Sequence, residues 1–476
     1  MTEEMNSLRV TKTPIAGLLV VDLPLHGDNR GWFKEHWQRE KMTALGLPDF
    51  GPVQQNISFN AAAGTTRGLH AEPWDKYVSV ASGRAFGAWV DLREGDAFGT
   101  KFSIELTPSR AVFVPRGVAN GFQTLEQNTT YMYLVNDHWS ERANYSFLNL
   151  ADPTVSIEWP IPLEDATVSG KDLEHPFLAD VAPVPPKKTV VLGANGQLGR
   201  ALRAVLPESS TCFLTRAEVD LADSESIDAY DWENVGTIIN AAAYTAVDSA
   251  ESPKGRALAW QVNAVAVEKL AKIARSKSAT LVSISSDYVF DGEKFPHLEE
   301  EQIAPLGVYG QSKAAGELAA TQVPRHYVIR TSWVIGDGDN FVRTMARLAS
   351  EGVNPEVIND QHGRLTFAEN LAEGIQHLIM QNSASGIYNL SCSGETMTWY
   401  DVARSVFSTL GFDPNRVTPI SSAAYNAKQR GSGKQVAPRP RLSTFDLHKI
   451  EETGFDPIDG EVALREYVTK LTRLSA

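Results

Sequence analysis

Hydrophobic and polar positions divide the chain into two textures. Up to about residue 160, short β-rich apolar runs occupy residues 15–21, 77–80, 85–91, 102–106, 111–114 and 129–135. Turn-forming pieces separate them: Gly27-Asp28-Asn29, Gly64-Thr65, Ser82-Gly83, Glu94-Gly95-Asp96 and Pro115-Arg116-Gly117. Closely spaced strands with little helix predict a sandwich or jelly roll. From residue 189 the pattern alternates. Strands are expected at 189–192, 211–215, 237–240, 280–284 and 326–330, and helices to Leu206 and over 255–276 and 310–322. Such alternation predicts a doubly wound parallel sheet of the Rossmann type. Beyond about 335, Pro/Gly breaks between helical pieces predict a small substrate lobe. The stretch Val181-Ala-Pro-Val-Pro-Pro-Lys-Lys188 reads as a Pro-rich connector. The expected organisation is therefore a multidomain chain: an N-terminal β jelly roll over 1–180, a linker over 181–188, and an α/β domain over 189–476.

Composition narrows the partners. The chain has 476 residues, 42% of them apolar and 21% charged, with a net charge of -14. That balance argues against nucleic acid or a membrane surface as partner. Two cysteines, Cys212 and Cys392, exclude a disulfide framework and fit a reducing compartment. The opening MTEEMNSLRV lacks a basic-then-apolar signal pattern, and no apolar run reaches about 18 residues. A soluble, cytoplasmic protein is expected.

In the first half, candidate chemistry sits at the expected strand ends: Gln54-Gln55-Asn56, Arg67-Gly-Leu-His70 and Lys76. A metal-binding jelly roll would want a second His two residues after His70, an acid shortly after, and another His after the Pro-x-Gly turn. Residue 72 is Glu, and the turn runs into Asn120. One imidazole is a poor transition-metal site, so a metal-free domain is expected. The pieces Asp28-Asn-Arg-Gly-Trp-Phe-Lys-Glu-His36, Gln54-Gln-Asn-Ile-Ser58, Arg67-Gly-Leu-His70, Val114-Pro-Arg-Gly-Val-Ala-Asn-Gly-Phe122, Tyr131-Met-Tyr133 and Ser169-Gly-Lys-Asp172, in this order, resemble the dTDP-4-dehydrorhamnose 3,5-epimerases, metal-independent cupins. The resemblance implies that His70 is the base for the acidic protons beside a 4-keto group, a task suited to an imidazole at neutral pH. It implies that Asp172 orients His70, that Lys76 stabilises the enolate, and that Tyr133 returns a proton from the opposite face, with Tyr131 the weaker candidate. Arg30 and Arg67 would grip nucleotide phosphates, and Glu35, Gln54, Asn56 and Asn120 would add polar contacts. The sequence departs from the family at Asn120, where His is usual, and at Trp139, where Tyr is common. The resemblance also implies a homodimer formed through the cupin domain.

The second half opens on Gly193-Ala-Asn-Gly-Gln-Leu-Gly199, a strand-to-helix glycine loop suited to a pyrophosphate at a helix N-terminus. Further on, Tyr309-Gly-Gln-Ser-Lys313 places Tyr and Lys on one helix face. A cation there is expected to lower the phenol pKa. Ser286 follows a strand. These features resemble the extended short-chain dehydrogenase/reductases, and with Asn240-Ala-Ala-Ala-Tyr-Thr-Ala-Val-Asp248, Ser285-Ser-Asp-Tyr-Val-Phe-Asp-Gly292, Arg330-Thr-Ser-Trp333 and Arg439-Pro440 they resemble the dTDP-4-dehydrorhamnose reductases. The resemblance implies Ser286, Tyr309 and Lys313 as catalytic residues, and Asp287 and Trp333 as sugar-nucleotide contacts. Gly193, Asn195, Gly196, Gln197 and Leu198 would line the pyrophosphate, Asp220 and Leu221 would lie near the adenine, and Ala242, Ala243, Tyr244 and Thr245 would follow the cofactor, with Tyr309 and Lys313 at its nicotinamide end. Arg216, rather than a carboxylate, follows the second strand, which favours the 2′-phosphate of NADPH, with NADH as the alternative.

Together the halves imply a bifunctional enzyme acting on a nucleotide sugar: epimerisation at C3 and C5, then NADPH-dependent reduction at C4. Two other readings remain open. The cupin domain could be a non-catalytic binding or dimerisation module beside an active reductase. It could also be a one-centre epimerase for a related keto sugar.

Overall fold

In a computed structural model, residues 7–140 and 144–474 are described. The chain forms two compact units, Met1–Pro186 and Lys187–Ala476. Most of the expected connector is not free chain. Val184 bridges Arg93 on the first unit, and Lys188 already belongs to the strand Lys188–Leu192 of the second.

In the first unit two antiparallel sheets face each other. One runs in the order Arg9–Lys12, Leu19–Asp22, Arg110–Val114, Lys76–Ser82, Thr129–Val135, Gln54–Asn60. The other runs Ser146–Phe147, Thr65–Ala71, Val118–Thr124, Ala85–Asp91, Lys101–Leu106, with Thr167–Val168 added parallel to Thr65–Ala71. Inward positions of both sheets, Val20, Val78, Val80, Trp89, Val112, Phe122 and Tyr131 among them, make one core. Period two then matters for chemistry. Lys76 shares the inward face with Val78 and Val80, and Tyr133 shares it with Tyr131.

Several expectations shift. The strand expected over 15–21 runs Leu19–Asp22, because Gly17 turns the chain at φ 80°. Arg67, His70 and Asn120 lie within strands rather than at turns, since Gln54–Asn60, Thr65–Ala71 and Val118–Thr124 are all strands. Gly68 makes the close approach there possible. Its φ is +123°, and a Cβ would lie 2.6 Å from Gly121 Cα.

The second unit carries a six-stranded parallel sheet among the described residues, in the order Thr211–Leu214, Lys188–Leu192, Val235–Asn240, Thr280–Ser286, His326–Thr331, Gly386–Asn389. Alternate residues feed the two faces. Val191, Ile239, Val282 and Ile329 pack with Leu198, Leu202 and Leu371; Val190, Ile238, Leu281 and Val328 pack with Val267 and Leu270. Burial on both faces is what a parallel sheet requires. The helix expected over 255–276 is divided into Pro253–Trp260, a π-turn at Gln261–Val265, and Ala266–Ser276. Helices Phe341–Ser350, Trp399–Thr409 and Gly460–Leu474 build the smaller lobe around Val342, Val402, Phe407 and Leu464. No helix of the described residues is long and apolar enough to cross a membrane.

Candidate active sites

The first site lies at the polar end of the sandwich interior. His70, near the end of Thr65–Ala71, stands opposite Asn120 across the strand pair. Its Nε2 lies 3.2 Å from Asp172 Oδ1, and its side chain is 36% exposed. Asp172 sits in the one-turn helix Gly170–Leu173, which Ser169 caps through Asp172 N. Burial works to raise the Asp172 pKa. The hydrogen bond from His70, its charge and the Gly68 backbone N–H outweigh that and hold the carboxyl below its usual range. The residue therefore stays a carboxylate beside the imidazole.

Lys76 is buried and ion-paired with Glu72, four residues earlier. Its Nζ lies 5.1 Å from the Tyr133 ring centroid. Burial and the Glu72 charge push the Tyr133 phenol up, so it is protonated at neutral pH. Tyr133 pairs across the sheet with Asn56, whose Oδ1 accepts from Gln54 Nε2 at 2.9 Å. Arg67 is exposed, donates from Nε to Asn60 Oδ1 at 3.2 Å, and its charge reaches Tyr133. Arg30 and Glu35 are engaged elsewhere. Arg30 pairs with Asp28 on the exposed hairpin His26–Asp28 and Gly31–Phe33, and Glu35 pairs with Lys41 at 2.7 Å. Trp139 is 61% exposed, and its backbone N donates to Gln54 Oε1.

Two groups here escaped sequence reasoning. Glu72 registered only as a missing histidine, although its spacing to Lys76 offers a pairing signal. His175, three residues past Asp172, places Nε2 3.9 Å from the same Asp172 Oδ1. Burial and the neighbouring His70 hold its pKa below the ordinary value.

The second site is a cavity of about 710 Å³ lined by the glycine loop, Arg216, Ala242, Ala243, Thr245, Ser286, Asp287, Tyr309, Lys313 and Trp333. Gly193 has φ +81°, and a Cβ there would meet Ala242 N at 2.8 Å. Gly196 starts the helix Gln197–Val205, so backbone N–H groups face the cavity end of the strand. Arg216 is exposed and holds Asp220 at 3.0 Å. With Asp220, Leu221 and Tyr244 it lines a smaller adjoining pocket of about 140 Å³.

Ser286 Oγ donates to Asp287 Oδ1 at 2.8 Å. Tyr309 is pushed up to about 12 by burial and by the Asp287 charge, offset in part by a hydrogen bond with Ser286. The expected lowering by Lys313 is not what the structure gives. Burial brings Lys313 itself down to about 8, and its Nζ donates to Ile284 O at 2.5 Å. A protonated phenol is the state that a proton donor needs. Asp287, raised to about 6 by burial, borders both this cavity and a second one of about 410 Å³. Trp333 borders both too, stacked on Trp399 at 3.8 Å with φ 47°. The second cavity adds Tyr288, Gln361, Trp399 and Arg439, which motif reading did not assign. Beneath the site Glu317 accepts from buried Arg330 and from Ser285, anchoring the Lys313 helix to the Ser286 strand.

A two-sheet barrel with a His–Asp pair and a buried lysine, followed by a Rossmann sheet with Ser, Tyr and Lys around one cavity, defines a class: a cupin epimerase joined to an extended short-chain reductase. The comparisons give the particular families. Residues 12–180 match the model described as dTDP-4-dehydrorhamnose 3,5-epimerase, and residues 187–473 match that described as the RmlD substrate binding domain. The chain belongs to both families, one in each unit. Over 180 residues it is 52% identical to the "Protein RmlC homolog" of Streptococcus pyogenes, covering 36% of this chain and 90% of that one. Over 291 residues it is 36% identical to the dTDP-4-keto-6-deoxy-D-glucose reductase of Streptomyces niveus, covering 60% and 95%. The crystal structure of the Bacillus anthracis dTDP-4-dehydrorhamnose reductase in complex with NADP matches at TM-score 0.54 and 31% identity, covering 60% of this chain and 99% of that one.

Proposed function

We propose that the chain makes dTDP-L-rhamnose from dTDP-4-dehydro-6-deoxy-D-glucose in two steps. The first unit inverts C3 and C5, and the second reduces the C4 ketone with NADPH. The observation that supports this reading is the presence, in one chain, of both residue sets: the His70–Asp172 pair and the Lys76–Tyr133 pair in the first unit, and Ser286, Tyr309 and Lys313 lining one cavity of the second.

Protons beside the keto group are acidic because the resulting charge moves onto the carbonyl oxygen. His70 takes such a proton, and Asp172 balances the imidazolium that forms. Lys76 stabilises the enolate oxygen in a site where burial strengthens the interaction. Tyr133, held protonated, delivers a proton to the opposite face. Arg67, Gln54, Asn56 and Asn120 hold the nucleotide sugar, and Arg30 and Glu35 join them only by leaving their pairs with Asp28 and Lys41. These steps use no metal ion.

The glycine cradle fits a dinucleotide, since a Cβ at Gly193 would fill the space beside Ala242. Bound NADPH supplies the hydride. Asn195, Gly196, Gln197 and Leu198 hold its pyrophosphate, Arg216 its 2′-phosphate, and Asp220, Leu221 and Tyr244 flank its adenine. Tyr309 gives the C4 oxygen its proton, Ser286 hydrogen-bonds that oxygen, and Lys313 holds the nicotinamide ribose. Asp287 and Trp333, shared by both cavities, position the sugar. Two copies pair through the cupin unit. The edge strand Gln54–Asn60 exposes Ile57 and Phe59, and the hairpin His26–Asp28 and Gly31–Phe33 exposes Trp32 and Phe33, which supports that association. The free thiols Cys212 and Cys392 suit the reducing cytoplasm, where this chemistry is placed.

The test is a single incubation of the protein with dTDP-4-dehydro-6-deoxy-D-glucose and NADPH. Stoichiometric NADPH oxidation and an L-rhamnose product by NMR are expected. No oxidation with that sugar overturns the reading.

A further inference from the structure

His175 has no part in the proton transfers above, yet its ring is aimed at their centre. Both imidazoles direct Nε2 at one carboxylate oxygen, Asp172 Oδ1, from 3.2 Å (His70) and 3.9 Å (His175). The three donor atoms lie within 4.8 Å of one another. Phe147 fixes both rings, stacking on His175 at 4.7 Å and meeting His70 edge-on at 5.5 Å. Asp172 and His175 are about 90% covered, while His70 opens the cluster to solvent.

We propose that His70, Asp172 and His175 form a site for a borderline divalent cation, with Zn²⁺ as the type, and that the bound ion blocks epimerisation. A tetrahedral zinc ion with ligands at about 2.0–2.1 Å keeps donors roughly 3.4 Å apart. The His70–Asp172 spacing of 3.2 Å is already near that value, the His175–Asp172 spacing of 3.9 Å is about half an ångström longer, and the two imidazoles, within 4.8 Å of each other, close by at most about 1.4 Å. Two neutral imidazoles and one carboxylate leave a fourth position open, on the side where His70 is exposed. Imidazole donors select Zn²⁺, Co²⁺ and Ni²⁺ over Mg²⁺ and Ca²⁺. The ion takes the place of the proton that His70 Nε2 shares with Asp172 and leaves the neutral ring's remaining proton on Nδ1, so neither nitrogen can accept a substrate proton while the ion is bound. The lysine, the tyrosine and the whole reductase unit are untouched. The site therefore couples first-step activity to free metal without touching the second step. Its inhibitory effect rests on the epimerase reading above; binding itself does not.

Co²⁺ separates the two. Full-length protein freed of metal with chelator is titrated with Co²⁺ and its visible d–d absorption recorded, then Zn²⁺ is added. One equivalent of intense, tetrahedral-type absorption is expected, displaced by Zn²⁺. His175→Gln should lose it, and His175→Cys, which restores a donor, should recover it with a thiolate charge-transfer band. In parallel, exchange of the C3 and C5 protons with deuterated solvent should fall at least tenfold with Zn²⁺ in the wild type. In metal-free His175→Gln exchange should persist and resist Zn²⁺, while NADPH oxidation with the pre-epimerised sugar stays constant throughout and reports folding. Equal Co²⁺ absorption in wild type and His175→Gln, or equal Zn²⁺ inhibition of both, overturns the proposal. A Co²⁺ signal in a wild type that shows no exchange even without metal would leave the site standing and sink the epimerase reading.

Discussion

The hydroxyl of Tyr131 donates to Asn120 Oδ1 at 3.2 Å, deep in the sandwich and under a ring stacked at 4.0 Å on Phe122. Asn120 thus engages the phenol that competes with Tyr133 for the role of acid. Tyr131 is 1% exposed, whereas Tyr133 lies half-buried against Lys76. Tyr133→Phe should cut formation of the epimerised product by about 10²-fold or more while leaving solvent exchange measurable, because proton removal and return are separate acts. Tyr131→Phe should change the rate only a few-fold. NMR of product and of deuterium incorporation distinguishes them; the reverse ranking would make Tyr131 the donor.

The Glu72–Lys76 pair is buried, with side chains 11% and 5% exposed. Removing one member leaves the other charge uncompensated. Glu72→Ala should therefore destabilise the first unit by about 3–5 kcal/mol, the range for a broken buried pair. The double variant Glu72→Ala/Lys76→Met should recover part of that loss while losing epimerisation. Urea denaturation followed by a signal from the first unit reads both. A loss under about 1 kcal/mol in the single variant would mean that the pair is solvated.

How much of this was legible from the residues differs by element. Strands with apolar inward faces, such as Ala85–Asp91 and Thr129–Val135, follow directly from composition and turns. Gln54–Asn60 and Val118–Thr124 do not, because their inward positions face the site and carry Gln54, Asn56 and Asn120, while Ile57 and Phe59 point outward. Function had inverted the pattern that announces a strand. In the second unit the glycine loop and Tyr309–Lys313 spacing were readable, but the environment of the pair was not. The burial that raises Tyr309 and lowers Lys313 comes from elements distant in sequence. His175 beside Asp172 is an ordinary i, i+3 pair until the strand carrying His70 is laid across it.

His36 gives the first unit a pH-dependent weakness. Burial and then the charge of Lys34 lower its pKa from 6.5 to about 4. Its Nδ1 contacts Ser79 Oγ at 3.4 Å and its ring packs on Tyr77. Between these two values the unfolded chain binds a proton that the folded chain refuses. Stability is thus full above pH 6.5 and falls as the pH drops toward 4, by at most roughly 3 kcal/mol. His36→Phe should flatten that part of the acid slope in urea midpoints measured from pH 7.5 to 4.5. An unchanged slope would place the acid sensitivity elsewhere.

Arg216 is exposed, pairs with Asp220 and borders both the cavity at the glycine loop and the smaller pocket adjoining it. A surface ion pair of this kind contributes little to stability, which frees the guanidinium for a phosphate. Arg216→Ala should raise KM for NADPH about tenfold or more and leave KM for NADH and thermal stability nearly unchanged. Equal losses with both cofactors would assign Arg216 to the adenine or the fold instead of the 2′-phosphate.

One chain is expected to perform two dependent steps, each in its own unit. Full-length His70→Ala tests it most directly, with NADPH oxidation followed separately on the unepimerised and the pre-epimerised sugar. The variant should oxidise almost no NADPH with dTDP-4-dehydro-6-deoxy-D-glucose and match the wild type on the epimerised ketone. Reduction of the unepimerised sugar by His70→Ala at the wild-type rate would contradict it, leaving the first unit without a catalytic part.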